Sequence, residues 1–296
     1  MKFGQVEDPS QIDFTLPKDH SRTKTILKQN KNGLENTSIG CAKWNKTDLK
    51  GFYPKGTKDE LTYYAKQFNS IELNATFYGM PTPEQVQTWK EKTPPNFKFF
   101  PKITNTVSHF RRLLNVDDVV TQFATAVLNF DEKLGMVFLQ LHDNFKPKDY
   151  ERLEQFVSKW PKEVPLAIEL RNTEWFTDEE ILDKTCQLFE ENQITNIIVD
   201  TAGRRDMLHM RLTTPNAFVR YVGANHESDY ERLDDWMNHL TQWKKEGLQN
   251  LYFFVHQNVE KASPLLSAYF IEKINKEWKT DLSVPKMAQD QPLSLF

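Results

Sequence analysis

Acidic, basic and amide side chains recur near the ends of short apolar runs in this chain. Glu72, Asn74 and Tyr78 lie in SIELNATFY (70–78), and Lys102 lies in KFFPKI (98–103). Gln140 and His142 lie in GMVFLQLH (135–142), Glu169 and Arg171 in PLAIELR (165–171). Asp200 ends TNIIVD (195–200), and Arg220 sits inside AFVRYVG (217–223). Together they suit acid–base chemistry on an anion. A carboxylate carries a proton, an ammonium steadies a developing oxyanion, and guanidinium forks hold carboxylate or phosphate. Glu72 and Glu169 are the proton-transfer candidates, with Lys102 and Asp200 completing the catalytic set. Asn74, Tyr78, Gln140, His142, Arg171 and Arg220 are candidate substrate contacts.

The alternation of side chains along a strand predicts that these groups share an interior. In 70–78 one face reads Ile71, Leu73, Ala75, Phe77 and the other Glu72, Asn74, Thr76, Tyr78. A parallel strand packed on both faces by apolar layers reads as nearly continuous Val, Ile and Leu. This run does not, so one face suits helices and the other a polar hollow. In 165–171, Leu166, Ile168 and Leu170 alternate with Ala167, Glu169 and Arg171. Asp200 falls on the face of Asn196 and Ile198, and Arg220 on that of Phe218 and Val222. In NLYFFVHQ (250–257), alternation does not say whether His256 or Gln257 points inward. Three acids are thus expected to meet three bases. A buried ion-pair network that only holds the strands together draws on the same residue types, so this bland reading stands beside the catalytic one.

What positions these residues is a repeat of strand then helix. Eight apolar runs, starting with TSIGCA (37–42), alternate with helical patterns over 58–68, 83–92, 117–129, 147–159, 178–190, 230–246 and 263–275. That order predicts an α/β chain with a parallel sheet, and the count of eight favours a (β/α)8 TIM barrel over an open doubly wound sheet. The sixth unit is irregular, because 201–216 leaves room for little helix. Residues 1–36 read as an N-terminal extension packed on the barrel, 37–280 as the barrel, and 281–296 as a C-terminal tail.

Strand-to-helix connections over 43–57, 104–116 and 201–216 are long, and helix-to-strand connections are short. Long loops gathered on one rim predict a binding rim. They carry Lys43, Lys46, Arg111, Arg112, Arg204, Arg205 and Arg211, with Trp44, Phe52, Tyr53, Phe110, Trp175 and Phe176 nearby. Arginine forks beside flat rings suit an anionic ligand with a ring. From this set Trp44, His109, Arg204 and Arg205 join the substrate-binding candidates.

Composition removes several classes. The 296 residues hold 38 Lys and Arg against 41 Asp and Glu, a net charge of −3, which argues against a general nucleic-acid coat. Mean hydropathy is −0.65 and no apolar run approaches membrane-spanning length, so no membrane partner is expected. The start MKFGQVEDPS has no secretory pattern, and two cysteines make no disulfide framework; the expected location is the cytoplasm. Ten glycines and the lack of phosphate-cradle or zinc motifs give no pointer to a nucleotide cofactor or a resident metal.

The strings SIELNATFY, Pro83-x-x-Val86-x-x-Trp89, FKFFPKI, KLGMVFLQL and AIELRNTEWF, in this order, resemble the YecE-like family of uncharacterised TIM barrels from about residue 38 to 275. The resemblance implies a TIM barrel and names no reaction. Its polar positions correspond to Glu72, Asn74, Thr76, Phe77, Tyr78, Lys102, Gln140, Glu169, Arg171, Asp200 and Arg220. The seventh strand departs from the pattern: many relatives read Arg-Leu/Phe-His-Gly where this chain has Arg220-Tyr221-Val222-Gly223. The eighth departs too, with Val255-His256-Gln257-Asn258 in place of an Asn-Asn-Asp-type cluster.

The expected function is an enzyme, of hydrolase, isomerase or lyase type, acting on a small anionic, sugar- or nucleotide-like molecule at the strand C-terminal mouth. No cofactor is expected. Two alternatives stay open. Glu72, Glu169, Asp200 and His142 could ligate a divalent metal in a metal-assisted hydrolase or isomerase, or the basic rim could bind a nucleotide or nucleic acid without catalysis. The sequence does not set the oligomeric state.

Overall fold

Each of the eight apolar runs forms a strand, and every strand pairing is parallel. The computed structural model describes residues 4–288. The strands are β1 (Asn36–Cys41), β2 (Ser70–Leu73), β3 (Lys98–Pro101), β4 (Val137–Gln140), β5 (Leu166–Glu169), β6 (Thr195–Thr201), β7 (Asn216–Gly223) and β8 (Asn250–Gln257). They form a curled six-stranded sheet, β1-β8-β7-β6-β5-β4, and a two-stranded sheet, β2-β3. The uninterrupted eight-stranded ladder expected of a closed barrel is therefore replaced by two ladders. At one seam, β3 and β4 meet through single bridges at Phe99–Leu134 and Lys102–Phe138. At the other, side chains stand in for the ladder: Asn69 Oδ1 accepts from the Ile39 amide at 2.9 Å, and the Tyr64 hydroxyl links the Cys41 amide to the Ser70 carbonyl.

Two apolar clusters explain the curl. The larger lies between the sheets and the surrounding helices, and takes Ile71, Leu139, Ile168, Ile198, Val219 and Phe253 from the outer strand faces. The smaller lies inside the curl and holds Phe100, Phe138, Ala167, Ile197, Val199, Phe218 and Phe254, with Tyr252 packed against it. Large rings fill the floor of the interior, so polar residues further along the same strands sit on an apolar base.

The β2 run ends early. Alternation carries the strand to Tyr78, but a helical turn begins at Ala75. The Thr76 hydroxyl donates to the Leu73 and Lys102 carbonyls at 2.9 and 2.7 Å, which fastens the turn to the end of β3. Asn74, Thr76 and Tyr78 are thus not a strand face.

The sixth unit holds a 3-10 turn, Ala202–Met207, between β6 and β7. The N-terminal segment fills the gap. Its helix Ser21–Leu27 lies between the helices Glu179–Glu191 and Ser228–Glu246, bonded to Glu190 through Arg22, while Asp19 accepts from Trp243 and meets His239. Ile26 and Leu27 are fully buried, and the Thr23 hydroxyl donates to the Met210 carbonyl. Gly247, at φ +119°, ends the long helix where a Cβ would meet the Leu27 carbonyl at 2.2 Å, so only glycine fits. The described part of the C-terminal tail reaches the loop after β1, where the Ala288 amide donates to the Gly51 carbonyl; 289–296 lie outside the described residues. Among the described residues no helix is long and apolar enough to cross a membrane.

Candidate functional site

Above the aromatic floor lies a layer of charge. Arg220, from β7, joins two carboxylates. Its Nε and Nη2 donate to Glu72 at 2.8 Å each, and its Nη1 donates to Glu169 at 2.5 Å. Glu72 also accepts from Asn74 Nδ2 at 2.8 Å. Glu169 accepts from Arg171 Nε at 2.7 Å and from Gln140 Nε2 at 3.0 Å. The Gln140 carbonyl oxygen takes the Lys102 ammonium at 2.7 Å, across the β3–β4 seam. Glu72 and Glu169 have no exposed surface. Strand geometry places these groups in one layer, since Gln140 and Glu169 are register partners on β4 and β5.

Burial pushes both carboxyls up, but the arginines outweigh it. Arg220 and then His256 hold Glu72 well below the usual carboxylate range, and Arg220 and Arg171 bring Glu169 to about 2. Both acids are therefore ionised at neutral pH, and the expectation that one is a proton donor and the other a base does not fit this environment. Lys102 moves the other way: burial first, then Arg220, lower it to about 7.

His256 belongs to this layer. It shares a strand face with Phe254, and its Nε2 lies 3.0 Å from Glu72 Oε2, with Nδ1 3.8 Å from Glu260. It lines a cavity of about 600 Å³ at the strand C-terminal end, together with Arg171 and Arg220. Lys43, Lys50 and Lys261 add positive charge to that cavity, against Asp48 and Glu260. Beside it, Glu72, Asn74, Lys43, Trp44 and Tyr78 line a smaller lobe of about 200 Å³. Trp44 meets Trp89 edge-to-face at 6.0 Å, and Tyr78 is 76% exposed.

His109 and His142 also come together, edge-to-face at 4.9 Å. His109 stands on a π-helical turn, Thr106–Phe110, followed by left-handed backbone at Arg112, Leu113 and Asn115. Such turns are enriched at functional sites. Burial, then His142 and Lys102, lower His109 to about 4, so it is neutral.

Three sequence candidates sit elsewhere. Asp200 faces the helices, not the hollow, because Val199 is the β6 residue whose neighbour on β7 is Arg220. Its carboxylate pairs with Arg205, and accepts from Arg232 at 2.9 Å and from Trp236 Nε1 at 2.7 Å. Arg205 also donates to the Phe14 and Thr15 carbonyls, so it ties down the N-terminal segment. Arg204 pairs with Asp206 and donates to the Arg171 carbonyl at 3.0 Å, which braces the end of β5. Of the other rim residues, Phe52, Tyr53 and Trp175 are buried, and Arg211 pairs with Asp183 and Glu190. The carboxylates and imidazole of the metal alternative are accordingly not assembled: Asp200 lies on the other face of the sheet. No cluster of three or more His, Cys, Asp or Glu suited to a metal occurs among the described residues. The site residue that alternation left undecided is His256; the apolar face shared with Phe254 was the available signal.

A family model described as "Protein of unknown function DUF72" matches residues 38–291. The chain belongs to this family. The N-terminal helix that fills the sixth-unit gap lies outside the matched span. The UPF0759 protein YecE of Escherichia coli (strain K12) is 27% identical over 277 residues, covering 86% of this chain and 98% of that protein. The UPF0759 protein YunF of Bacillus subtilis (strain 168) is 23% identical, covering 70% and 84%. Crystal structures of DUF72 family proteins from Enterococcus faecalis and Thermotoga maritima superpose with TM-scores of 0.68 and 0.66, at 20% and 23% identity. They cover 86% and 82% of this chain and all of their own. At that identity the likeness speaks to the DUF72 fold alone.

Proposed function

We propose that this DUF72 protein is an enzyme that moves a proton on a small anionic, ring-containing molecule, sugar- or nucleotide-like, held at the mouth of a (β/α)8 barrel. The barrel reading treats the two sheets as one ring, on the strength of the bridges at the β3–β4 seam and the Asn69 and Tyr64 hydrogen bonds at the β1–β2 seam. A cytoplasmic setting fits Cys41 and Cys186, both buried and unpaired.

The observation that carries the functional reading is the wall of the larger cavity. Five lysines and arginines face two carboxylates there, and His256 stands among them on the ionised Glu72. An anion is favoured by that charge, and the guanidiniums of Arg171 and Arg220 suit carboxylate or phosphate. Glu72, fixed as a carboxylate, accepts from His256 Nε2 and orients the ring, whose Nδ1 is the second proton site. Glu72 is then a positioning residue and His256 the proton carrier. Trp44 and Tyr78 in the adjoining lobe offer faces for a ring, and Lys102 supplies positive charge or an amine beneath.

The test has two parts. Inorganic phosphate and a panel of sugar phosphates should raise the melting temperature of the wild-type protein, and Arg171→Gln should lose most of that shift. For any compound that binds, proton NMR in D2O should show exchange of a carbon-bound proton that His256→Asn abolishes while the melting shift remains. A wild-type protein whose melting temperature ignores every anion would refute the reading.

A further inference from the structure

Lys102 is held unlike its two cationic neighbours. Arg171 and Arg220 are ion-paired to carboxylates. The Lys102 ammonium has the neutral amide of Gln140 as its hydrogen-bond partner, and among the described residues it forms no ion pair with a carboxylate. It is 7% exposed, with the Phe77 ring 4.1 Å from its nitrogen and the Phe138 ring at 6.0 Å. Desolvation and the repulsion of two guanidiniums outweigh what the Phe77 ring and the nearby Glu169 and Glu72 return to the charge, and its hydrogen-bond acceptor is uncharged. A methionine would fill the space without that cost. What the position supplies is a lysine that sheds its proton easily, and a neutral amine is a nucleophile. Burial and Arg220, which bring the group to about 7, act in the same direction.

The amine lies beside a row of rings. Tyr78, Phe77, His109 and His142 stand edge-to-face at 4.9–5.1 Å; Tyr78 is exposed and the other three are half-buried. Phe77, the ring over Lys102, is only half-buried. His109, neutral, adds no further positive charge next to the amine.

We propose that Lys102 attacks a carbonyl carbon of the substrate and holds it as an imine, so that the substrate class is an aldehyde or ketone bearing a carboxylate or phosphate. The proposal rests on the anion-binding reading above. In the first step the amine lone pair forms the C–N bond while the carbonyl π pair moves to oxygen, and one N–H proton passes to that oxygen. In the second, the nitrogen lone pair forms C=N as the hydroxyl leaves with the second N–H proton as water. Amine and carbonyl become imine and water, and nothing is oxidised or reduced. Protonated at nitrogen, the imine draws electrons from the adjacent carbon, and a C–H proton there becomes acidic enough for His256 to take.

The experiment is reductive trapping on the full-length protein. Wild-type protein is incubated at neutral pH with pyridoxal 5′-phosphate, and separately with glyoxylate, reduced with sodium borohydride, and digested for peptide mass analysis. Lys102 should be modified faster than Lys43, Lys50 and Lys261 of the cavity wall by on the order of tenfold or more, because it is lowered to about 7. Inorganic phosphate should slow that modification, and Lys102→Arg should remove it while retaining the positive charge. The measurement on wild-type protein decides the matter even if that variant folds poorly. Adducts confined to surface lysines, with phosphate still raising the melting temperature, would overturn the imine and leave the anion-binding reading intact. Adducts confined to the surface and no phosphate effect would overturn both.

Discussion

Two ion networks lie on opposite faces of the β6–β7 pair, where Val199 and Asp200 stand in register with Arg220 and Tyr221. On the inner side, Arg220 joins Glu72 and Glu169. On the outer side, Asp200 joins Arg205 and Arg232, with Asp229 bonded to Arg232 at 3.2 Å. Burial is nearly the same, and so are the residue types. The outer network sets two carboxylates against two guanidiniums and is covered by Trp236 and by the Phe14 ring, 4.4 Å from Arg232. The inner network adds Lys102 to the same balance and opens onto a cavity. Pairing and burial alone do not distinguish a structural network from a site. An open volume beside the pairs does.

The largest test of that contrast is truncation before Asn36. It removes Ile26, Leu27, Phe14 and the two carbonyl partners of Arg205, and so uncovers the outer network, while the inner cavity loses only Gln5 from its wall. Burial of two such aliphatic side chains is worth roughly 3–6 kcal/mol, and urea unfolding should show a loss of that order. The phosphate response of the folded fraction should survive; its disappearance would show that the two networks are coupled.

Arg220→Leu strikes the inner side and leaves two carboxylates buried without their common partner. A loss of about 3–5 kcal/mol is expected from urea unfolding, with the phosphate shift lost as well. Asp200→Asn is the outer counterpart. It should cost roughly 3 kcal/mol by leaving Arg232 short of an anion, yet keep the phosphate shift. Equal effects of the two substitutions on phosphate would erase the distinction.

The pH dependence separates the inner groups further. Glu169, depressed to about 2, contributes stability that is complete above its unfolded value, about 4.3, and is lost as pH falls toward 2. Lys102 is a base depressed to about 7, so between there and roughly 10.4 the unfolded chain binds the extra proton and stability rises with pH. Unfolding of Lys102→Met across this alkaline window should show that rise flattened. Least costly is His256→Asn, which gives up a hydrogen bond at the cavity wall; about 1 kcal/mol or less is expected in unfolding, against a full loss of proton exchange.

Alternation read the interior correctly on β2, β4, β5 and β7, where one face is apolar throughout and the other breaks into Glu, Gln or Arg. It misled on β6, because all seven residues of that strand are buried and Ile197, Ile198 and Val199 make both faces apolar. Asp200 therefore had no face that pattern alone could assign. Beyond Leu73 the same method failed for a local reason: the Thr76 hydroxyl captures two carbonyls and turns the chain. Arg204 and Arg205 resemble ligand forks in sequence because an arginine in a loop looks alike whether its partner is a substrate or, as here, an acid close in space.

By itself the sequence determined the order of strands and helices, the irregular sixth unit and most of the inner polar layer, since period-2 and helical spacing are local properties of the chain. Tertiary structure decided which side of β6 looks inward, that His256 joins Glu72, and that a seven-residue N-terminal helix occupies the empty sixth position. Those outcomes depend on contacts between residues some 150 to 220 positions apart, such as Glu72 with Arg220 and Asp19 with Trp243. No local pattern encodes which distant partner satisfies a buried charge.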